Sequence, residues 1–104
     1  MRELVIVVPA YNEEIALAKT MQEYMQEFPE ATFIVVDNNS SDNTAEEAKS
    51  VLRPTDFLLF EGEQGKGAAM RAGLARLDAS IYLVTDADLT YPARDARAVV
   101  ERLK

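Results

Sequence analysis

The sequence predicts an α/β fold: a parallel sheet whose four strands alternate with four helices in the order βαβαβαβα. Three observations predict it. Four short apolar runs recur along the chain. Each run is continuous rather than alternating, as in strands buried on both faces of a parallel sheet. Each is followed by a polar loop and then by a stretch with apolar residues at three-four spacing, the mark of a helix with one buried face.

The first strand is the run LVIVV at 4–8. Its helix shows Ala18, Met21, Met25 and Phe28 on one face, and Pro29 stops it. The second strand is TFIVV at 32–36. The helix after it opens on a capping-box pattern, Thr44-x-x-Glu47, and is expected to bury Ala48, Val51 and Leu52 before Pro54. The third strand is FLLF at 57–60, followed by a helix with Met70, Gly73, Leu74 and Leu77 on one face. The fourth is IYLV at 81–84. Ala96, Val99, Val100 and Leu103 then repeat at helical spacing, with Pro92 near the first turn. Right-handed crossovers would place helices on both faces of the sheet.

A chain of 104 residues makes a single domain the expectation. Eleven basic against 18 acidic side chains give a net charge of −7, which argues against a nucleic-acid partner. Cysteine and histidine are both absent. That excludes disulfides, thiolate metal sites, thiol nucleophiles and every triad built on histidine. Chemistry must rest on carboxylates, lysine, arginine, hydroxyls and backbone amides. No apolar run approaches the ~20 residues of a membrane-spanning helix. No leader pattern opens the sequence, so a cytoplasmic location is expected. Residues 1–52 carry 3 basic and 10 acidic side chains, whereas residues 53–104 carry 8 of each. The cations of any anion site are therefore expected from the second half.

In an open α/β sheet, ligands bind beyond the carboxyl ends of the strands. The residues there are PAYNEE at 9–14, DNNSSDN at 37–43, EGEQGKG at 61–67 and DAD at 86–88. Asp86 and Asp88 at a strand end offer hard oxygen ligands, suited to Mg²⁺ or Mn²⁺ together with substrate phosphates. Gly62, Gly65 and Gly67 let backbone approach an anion, with Lys66 as the point charge. Arg71, one turn on, can supply a second cation or pair with a surface acid. Asp37 can accept from ribose or a base edge, or close an Asx turn with its own loop. Asp42 and Thr44 suit capping, and one of Glu13 and Glu14 serves only the helix dipole. Tyr11 can stack on a base or simply pack. The loops hold neither a P-loop nor a dinucleotide fingerprint.

Taken together, VVPAYNEE (7–14), IVVDNNSSDNT (34–44), GKGAAMRAGL (65–74) and TDADLTYP (85–92) resemble the nucleotide-sugar-binding half of family 2 glycosyltransferases of the GT-A fold. The likeness is strongest to enzymes that load sugars onto polyprenyl or dolichyl phosphates. The resemblance implies a Rossmann-like half-fold and a set of roles. Pro9, Ala10, Tyr11 and Glu13 would line a nucleoside pocket, and Asp37 would contact base or ribose. Lys66 and Arg71 would lie near the diphosphate. Asp86, Ala87 and Asp88 would form the D-x-D element. Asp88 would hold a divalent metal, Asp86 would touch ribose or metal, and both would be counted as catalytic. Two positions depart from the family pattern: Asn38 stands where a second Asp is frequent, and Thr90 stands where some relatives carry a metal-binding Gln.

The resemblance also implies that residues 1–104 form a donor-binding subdomain cut off before the acceptor half. The parent would transfer a sugar from a UDP- or GDP-sugar, with inversion, to an acceptor such as a polyprenyl phosphate at the cytoplasmic face of a membrane. The 104-residue chain itself would be inactive. An exposed sheet edge at the truncation would favour a homo-oligomer. The rival expectation is a noncatalytic α/β module that binds a nucleotide or a partner. A phosphoacceptor receiver fits less well, because the third strand ends at Glu61-Gly62 rather than at an aspartate. A sugar-1-phosphate nucleotidyltransferase is disfavoured because its first loop is usually glycine-rich.

Overall fold

Uninterrupted apolar strands need cover on both sides, and the computed structural model, which describes residues 2–104, provides it. The elements are β1 (Arg2–Ala10), α1 (Leu17–Glu27), β2 (Thr32–Asp37), α2 (Thr44–Val51), β3 (Phe57–Phe60), α3 (Lys66–Arg76), β4 (Ala79–Val84) and α4 (Ala93–Leu103). The strands form one parallel sheet in the order β3-β2-β1-β4. β1 and β2 are central, and β3 and β4 are the edges. The chain steps outward from β1 to β3, then crosses back to pair β4 on the other side of β1. This reversal opens a crevice at the carboxyl ends of β1 and β4. Among the described residues, no helix is long and apolar enough to cross a membrane.

The predicted two-sided cover is present but unequal. Leu4, Ile6, Val8, Phe33 and Val35 face a core shared with α1, α2 and α4. Val5, Val7, Ile34 and Val36 face the other side, where α3 supplies Ala69 and the half-buried Ala72 and Leu74. Gly73 allows α3 to sit this close: a Cβ there would collide with Val7 and lie 3.3 Å from Val36 Cγ2.

Helix faces differ in detail from the apolar spacing. α1 buries Leu17, Thr20, Met21 and Tyr24, whereas Ala18 and Met25 are only half-buried. Two polar residues sit on its inner face because their hydroxyls have partners there. α3 buries Ala68, Ala69 and Gly73, because close approach to the sheet selects small residues. In α4, Ala93, Ala96 and Val100 are buried, while Val99 and Leu103 are exposed. The expected capping box of α2 does not form. Thr44 is already helical and its hydroxyl is engaged elsewhere, so Asn43 holds the N-cap without a side-chain bond.

The amino edge of the sheet is closed by ion pairs. The Asp56 side chain is fully buried, with Arg53 Nε at 2.8 Å. It also accepts from Arg53 N and Phe33 N, both at 3.0 Å. Arg53 Nη2 donates to Ala31 O at 2.7 Å. Burial alone would raise the Asp56 pKa; these hydrogen bonds hold it below the usual carboxylate value. Arg97 reaches Glu30 at 2.8 Å and Glu101 at 3.0 Å, and lies over the Phe28 ring. Glu30 and Glu101 are both held low, first of all by hydrogen bonds from Arg97.

Candidate functional site

At the carboxyl edge the loops are tied to one another by side chains. Asn12 and Asn39 adopt left-handed backbone, with φ of 51° and 61°. Asn12 N donates to Ser40 Oγ at 2.9 Å, and Ser41 N donates to Asn12 Oδ1 at 2.9 Å. Glu13 N donates to Thr44 Oγ1 at 2.9 Å, while the Thr44 hydroxyl itself donates to Asp42. The loop after β1 is thereby fixed on the loop after β2. The loop after β3 is fixed through Asn38, whose Nδ2 donates to Glu61 O at 3.0 Å and Glu63 O at 2.8 Å. Asn38 Oδ1 accepts from Gly65 N at 2.9 Å.

The D-x-D loop is held from beneath by α1. Thr20 Oγ1 lies 3.0 Å from Ala87 O and 2.9 Å from Ala16 O, sharing its one proton. Tyr24 donates to Tyr91 O at 2.6 Å and accepts from Thr85 Oγ1 at 3.0 Å. Leu89 takes φ 63°, a costly conformation for a branched side chain. It closes a turn in which Asp88 Oδ1 accepts from Thr90 N at 3.1 Å and from Thr90 Oγ1 at 2.7 Å. The Thr90 hydroxyl, first, and these other hydrogen bonds keep Asp88 below the ordinary aspartate pKa. Thr90, at the position that departs from the family pattern, therefore stabilises the ionised Asp88.

These loops enclose one cleft, at the crevice created by the strand order. It is lined by Pro9, Ala10, Tyr11, Glu13, Asn38, Lys66, Asp86, Ala87 and Asp88. Lys66 Nζ pairs with Asp86 Oδ1 at 2.5 Å across the cleft. Glu13 is pushed above its usual pKa, chiefly by desolvation and then by Asp88, Asp42 and Asp86. Burial is the larger cause; the smaller part, from the three neighbouring aspartates, is negative charge that a cation would relieve. A second recess next to it is lined by Tyr11, Asn38, Gln64, Gly65 and Lys66.

Eight of the sequence-nominated residues thus meet at one place: Pro9, Ala10, Tyr11, Glu13, Lys66, Asp86, Ala87 and Asp88. Asp37 and Arg71 do not line the cleft. Asp37 is buried and its Oδ1 accepts from Ser40 N at 3.1 Å, the Asx-turn alternative. Arg71 points to Glu63, 3.7 Å away on the surface. The cleft residue that sequence reasoning missed is Asn38, absorbed there into a polar turn. Its place directly after a strand-end Asp was the available signal. Thr20 and Tyr24 were missed because spacing arguments count apolar side chains only.

Asp86 and Asp88 fit a divalent cation by donor type, since both offer only carboxylate oxygens. Among the described residues, no group of three or more acidic, histidine or cysteine side chains could hold a metal. A divalent ion here would complete its shell with ligand oxygens and water, the habit of Mg²⁺ and Mn²⁺ on phosphate substrates.

The profile described as Glycosyl transferase family 2 matches residues 5–104. The chain belongs to glycosyl transferase family 2. It is 34% identical over 100 residues to Protein RfbJ of Shigella flexneri, covering 96% of this chain and 75% of that one. It is 32% identical over 113 residues to dolichyl-phosphate beta-glucosyltransferase ALG5A of Trichomonas vaginalis, covering 97% of this chain and 35% of the relative. With the undecaprenyl-phosphate 4-deoxy-4-formamido-L-arabinose transferase of Proteus mirabilis it shares 29% over 103 residues, covering 91% of this chain and 32% of the enzyme. Among solved structures, mannosyltransferase PcManGT of Pyrobaculum calidifontis, in complex with GDP-Man and Mn²⁺, superposes with a TM-score of 0.78 at 29% identity. That match covers 94% of this chain and 31% of the mannosyltransferase. Glucosyl-3-phosphoglycerate synthase of Mycobacterium tuberculosis, in complex with Mn²⁺, UDP and glucosyl-3-phosphoglycerate, superposes with a TM-score of 0.81 at 22% identity. There 98% of this chain and 39% of the synthase are covered. The Rossmann-like α/β fold is that of the GT-A glycosyltransferases. The chain spans three quarters of Protein RfbJ and about a third of the polyprenyl-phosphate relatives.

Proposed function

We propose that residues 1–104 form the donor-binding part of a glycosyltransferase that takes a nucleoside-diphosphate sugar into the cleft between β1 and β4. The observation that carries this reading is the meeting of Lys66, Asp86 and Asp88 at the switch point of the sheet, 2.5 Å separating the first two. Tyr11 and the Pro9–Glu13 segment would receive the nucleoside, as a platform beside a backbone-lined pocket. Lys66 would turn from Asp86 to the diphosphate when that anion enters. Asp86 and Asp88 would hold a Mg²⁺ or Mn²⁺ ion. Such an ion supplies Lewis-acid stabilisation of the departing diphosphate. Thr90, Thr20 and Tyr24 would keep the two aspartates in place through the bonds already described.

The relatives named for undecaprenyl and dolichyl phosphates support a polyprenyl phosphate as the acceptor of the full enzyme. Inversion at the sugar carbon and a place at the cytoplasmic face of a membrane are further parts of the proposal. A phosphate acceptor is already anionic and needs no general base to deprotonate it. Residues that bind it would lie in an acceptor part outside residues 1–104. The open edge of β4, where Tyr82, Tyr91 and Val99 are exposed, is where a second copy would associate. Light scattering that returns the mass of one chain would contradict that association.

A second reading is a noncatalytic module that binds a nucleotide or a partner. Isothermal titration of UDP and GDP with and without Mn²⁺ tests both. Metal-dependent binding is expected under either. Transfer by a chain extended into an acceptor part separates them. A folded chain that binds neither nucleotide contradicts the donor-site reading.

A further inference from the structure

We propose that β3 is a dimerisation edge, on which a second copy of this chain adds its own β3 antiparallel about a two-fold axis. This pairing does not depend on what the cleft binds. β3 ends the sheet on the side opposite β4, so one flank of its backbone has no strand beside it. Glu61 N donates to Asp37 O on the β2 side at 2.9 Å. Alternation along the strand therefore turns the backbone groups of Leu59 inward to β2 and those of Leu58 and Phe60 outward. Neither proline nor lysine interrupts the run FLLF, so nothing in it blunts the edge. Phe60 adds a large apolar side chain there that is 67% exposed.

Charge decides how a second copy fits. At the start of the strand, Arg76 Cζ lies 4.6 Å from the centroid of the Phe57 ring and Arg2 Cζ 6.0 Å. Among the described residues neither arginine has a carboxylate partner. At the end of the strand, Glu61 accepts from Glu63 N at 2.9 Å and meets no cation among the described residues. A parallel copy would set like charges side by side. An antiparallel copy brings the arginine end of each strand to the glutamate end of the other. The axis stands normal to the sheet and keeps both faces continuous, so opposed residues must point to the same side. Leu59 against the second copy's Leu59 meets that condition. Leu58 then opposes Phe60 and exchanges backbone hydrogen bonds with it, covering the exposed ring. Phe57, with Arg76 over it, opposes Glu61 on the α3 face. The neighbouring register, Leu58 against Leu58, would set Phe60 against Asp56 instead. With a strand of only four residues, association is expected to be weak, half complete near about 0.1 mM.

Sedimentation equilibrium of the full chain at about 0.5 mM, above that midpoint, tests the pairing. The β4 edge is first blocked by Val99→Glu, at an exposed position of α4, so that only β3 is scored. Val99→Glu is expected to keep the mass of two chains, and adding Phe60→Lys to return the mass of one. Adding Arg76→Glu to Val99→Glu is expected to weaken pairing at least about tenfold. Glu61→Arg beside it is expected to restore the affinity to within about threefold, because the swap rebuilds the same pair across the axis. The register is read with introduced cysteines, since the chain has none. On oxidation Leu59→Cys is expected to cross-link two copies, its opposed Cα atoms being about 4.5 Å apart, and Leu58→Cys is not. One-chain mass for Val99→Glu overturns the proposal. So does a dimer that survives Phe60→Lys, a charge swap that restores nothing, or cross-linking through Leu58→Cys rather than Leu59→Cys. Should Phe60→Lys fail to fold by circular dichroism, Phe60→Ser takes its place and is judged by the same masses.

Discussion

The two edges of the sheet treat carboxylates in opposite ways. At the amino edge Asp56, Glu30 and Glu101 each meet an arginine and are held below their usual pKa. At the carboxyl edge Glu13, Asp86 and Asp88 gather around a cleft whose lining includes one lysine, and Glu13 is pushed up. The first arrangement is electrostatically complete within the chain and contributes to folding. The second gathers more negative charge than Lys66 can neutralise, which suits the entry of a cation. The anion that accompanies it would then find Lys66.

The comparison can be broken most forcefully at Asp56. Asp56→Ala leaves Arg53 and the Phe33 amide without their buried partner and should cost about 3 kcal/mol in urea unfolding. Its nucleotide affinity should stay at the wild-type value. Asp88→Ala should do the reverse: Mn²⁺-dependent binding of a nucleoside diphosphate falls at least about tenfold, while the unfolding midpoint holds. Equal stability losses in the two variants would erase the distinction between the edges.

Smaller effects sharpen it. Lys66→Met frees Asp86 from its ion pair, so Mn²⁺ alone should bind roughly fivefold tighter by titration, while the diphosphate binds more weakly. The pH dependence should differ in sign between the edges. Asp56 and Glu30 have folded pKa values below their unfolded ones. Their contribution is present above the unfolded values, 3.8 and 4.5, and is lost as pH falls toward the folded ones. Glu13 is shifted the other way, so the folded state favours its proton and its ionisation is a small penalty at neutral pH. Glu13→Gln should therefore gain about 0.5 kcal/mol at pH 7 and nothing below pH about 4, measured by urea unfolding across that range.

Most of the architecture was legible because buried parallel strands leave an unbroken apolar signature. The runs at 4–8, 32–36, 57–60 and 81–84 fall inside β1 to β4. The order of the strands was not legible, since alternation of elements does not say on which side of β1 the last strand pairs. Helix faces were read only partly. Spacing finds Met21 and Val100 but not Thr20 or Tyr24, whose burial depends on acceptors 67 residues away in sequence. Cleft residues on strand ends were legible because the fold class says where loops converge. Asn38 was legible only as the residue after a strand-end Asp, because its three backbone partners lie in another loop. Arg71 lies one turn too far along α3 to reach the cleft and is drawn to Glu63 instead.

The account turns on one crevice holding both the acids and the lysine against a single ligand. A crystal of the chain grown with a nucleoside diphosphate and Mn²⁺, with anomalous data collected for manganese, tests this most directly. The account predicts an anomalous peak bridging the Asp88 carboxylate and the diphosphate, with Lys66 turned from Asp86 to a phosphate oxygen. Manganese bound away from the D-x-D loop, or a nucleotide seated at another edge of the sheet, would contradict it.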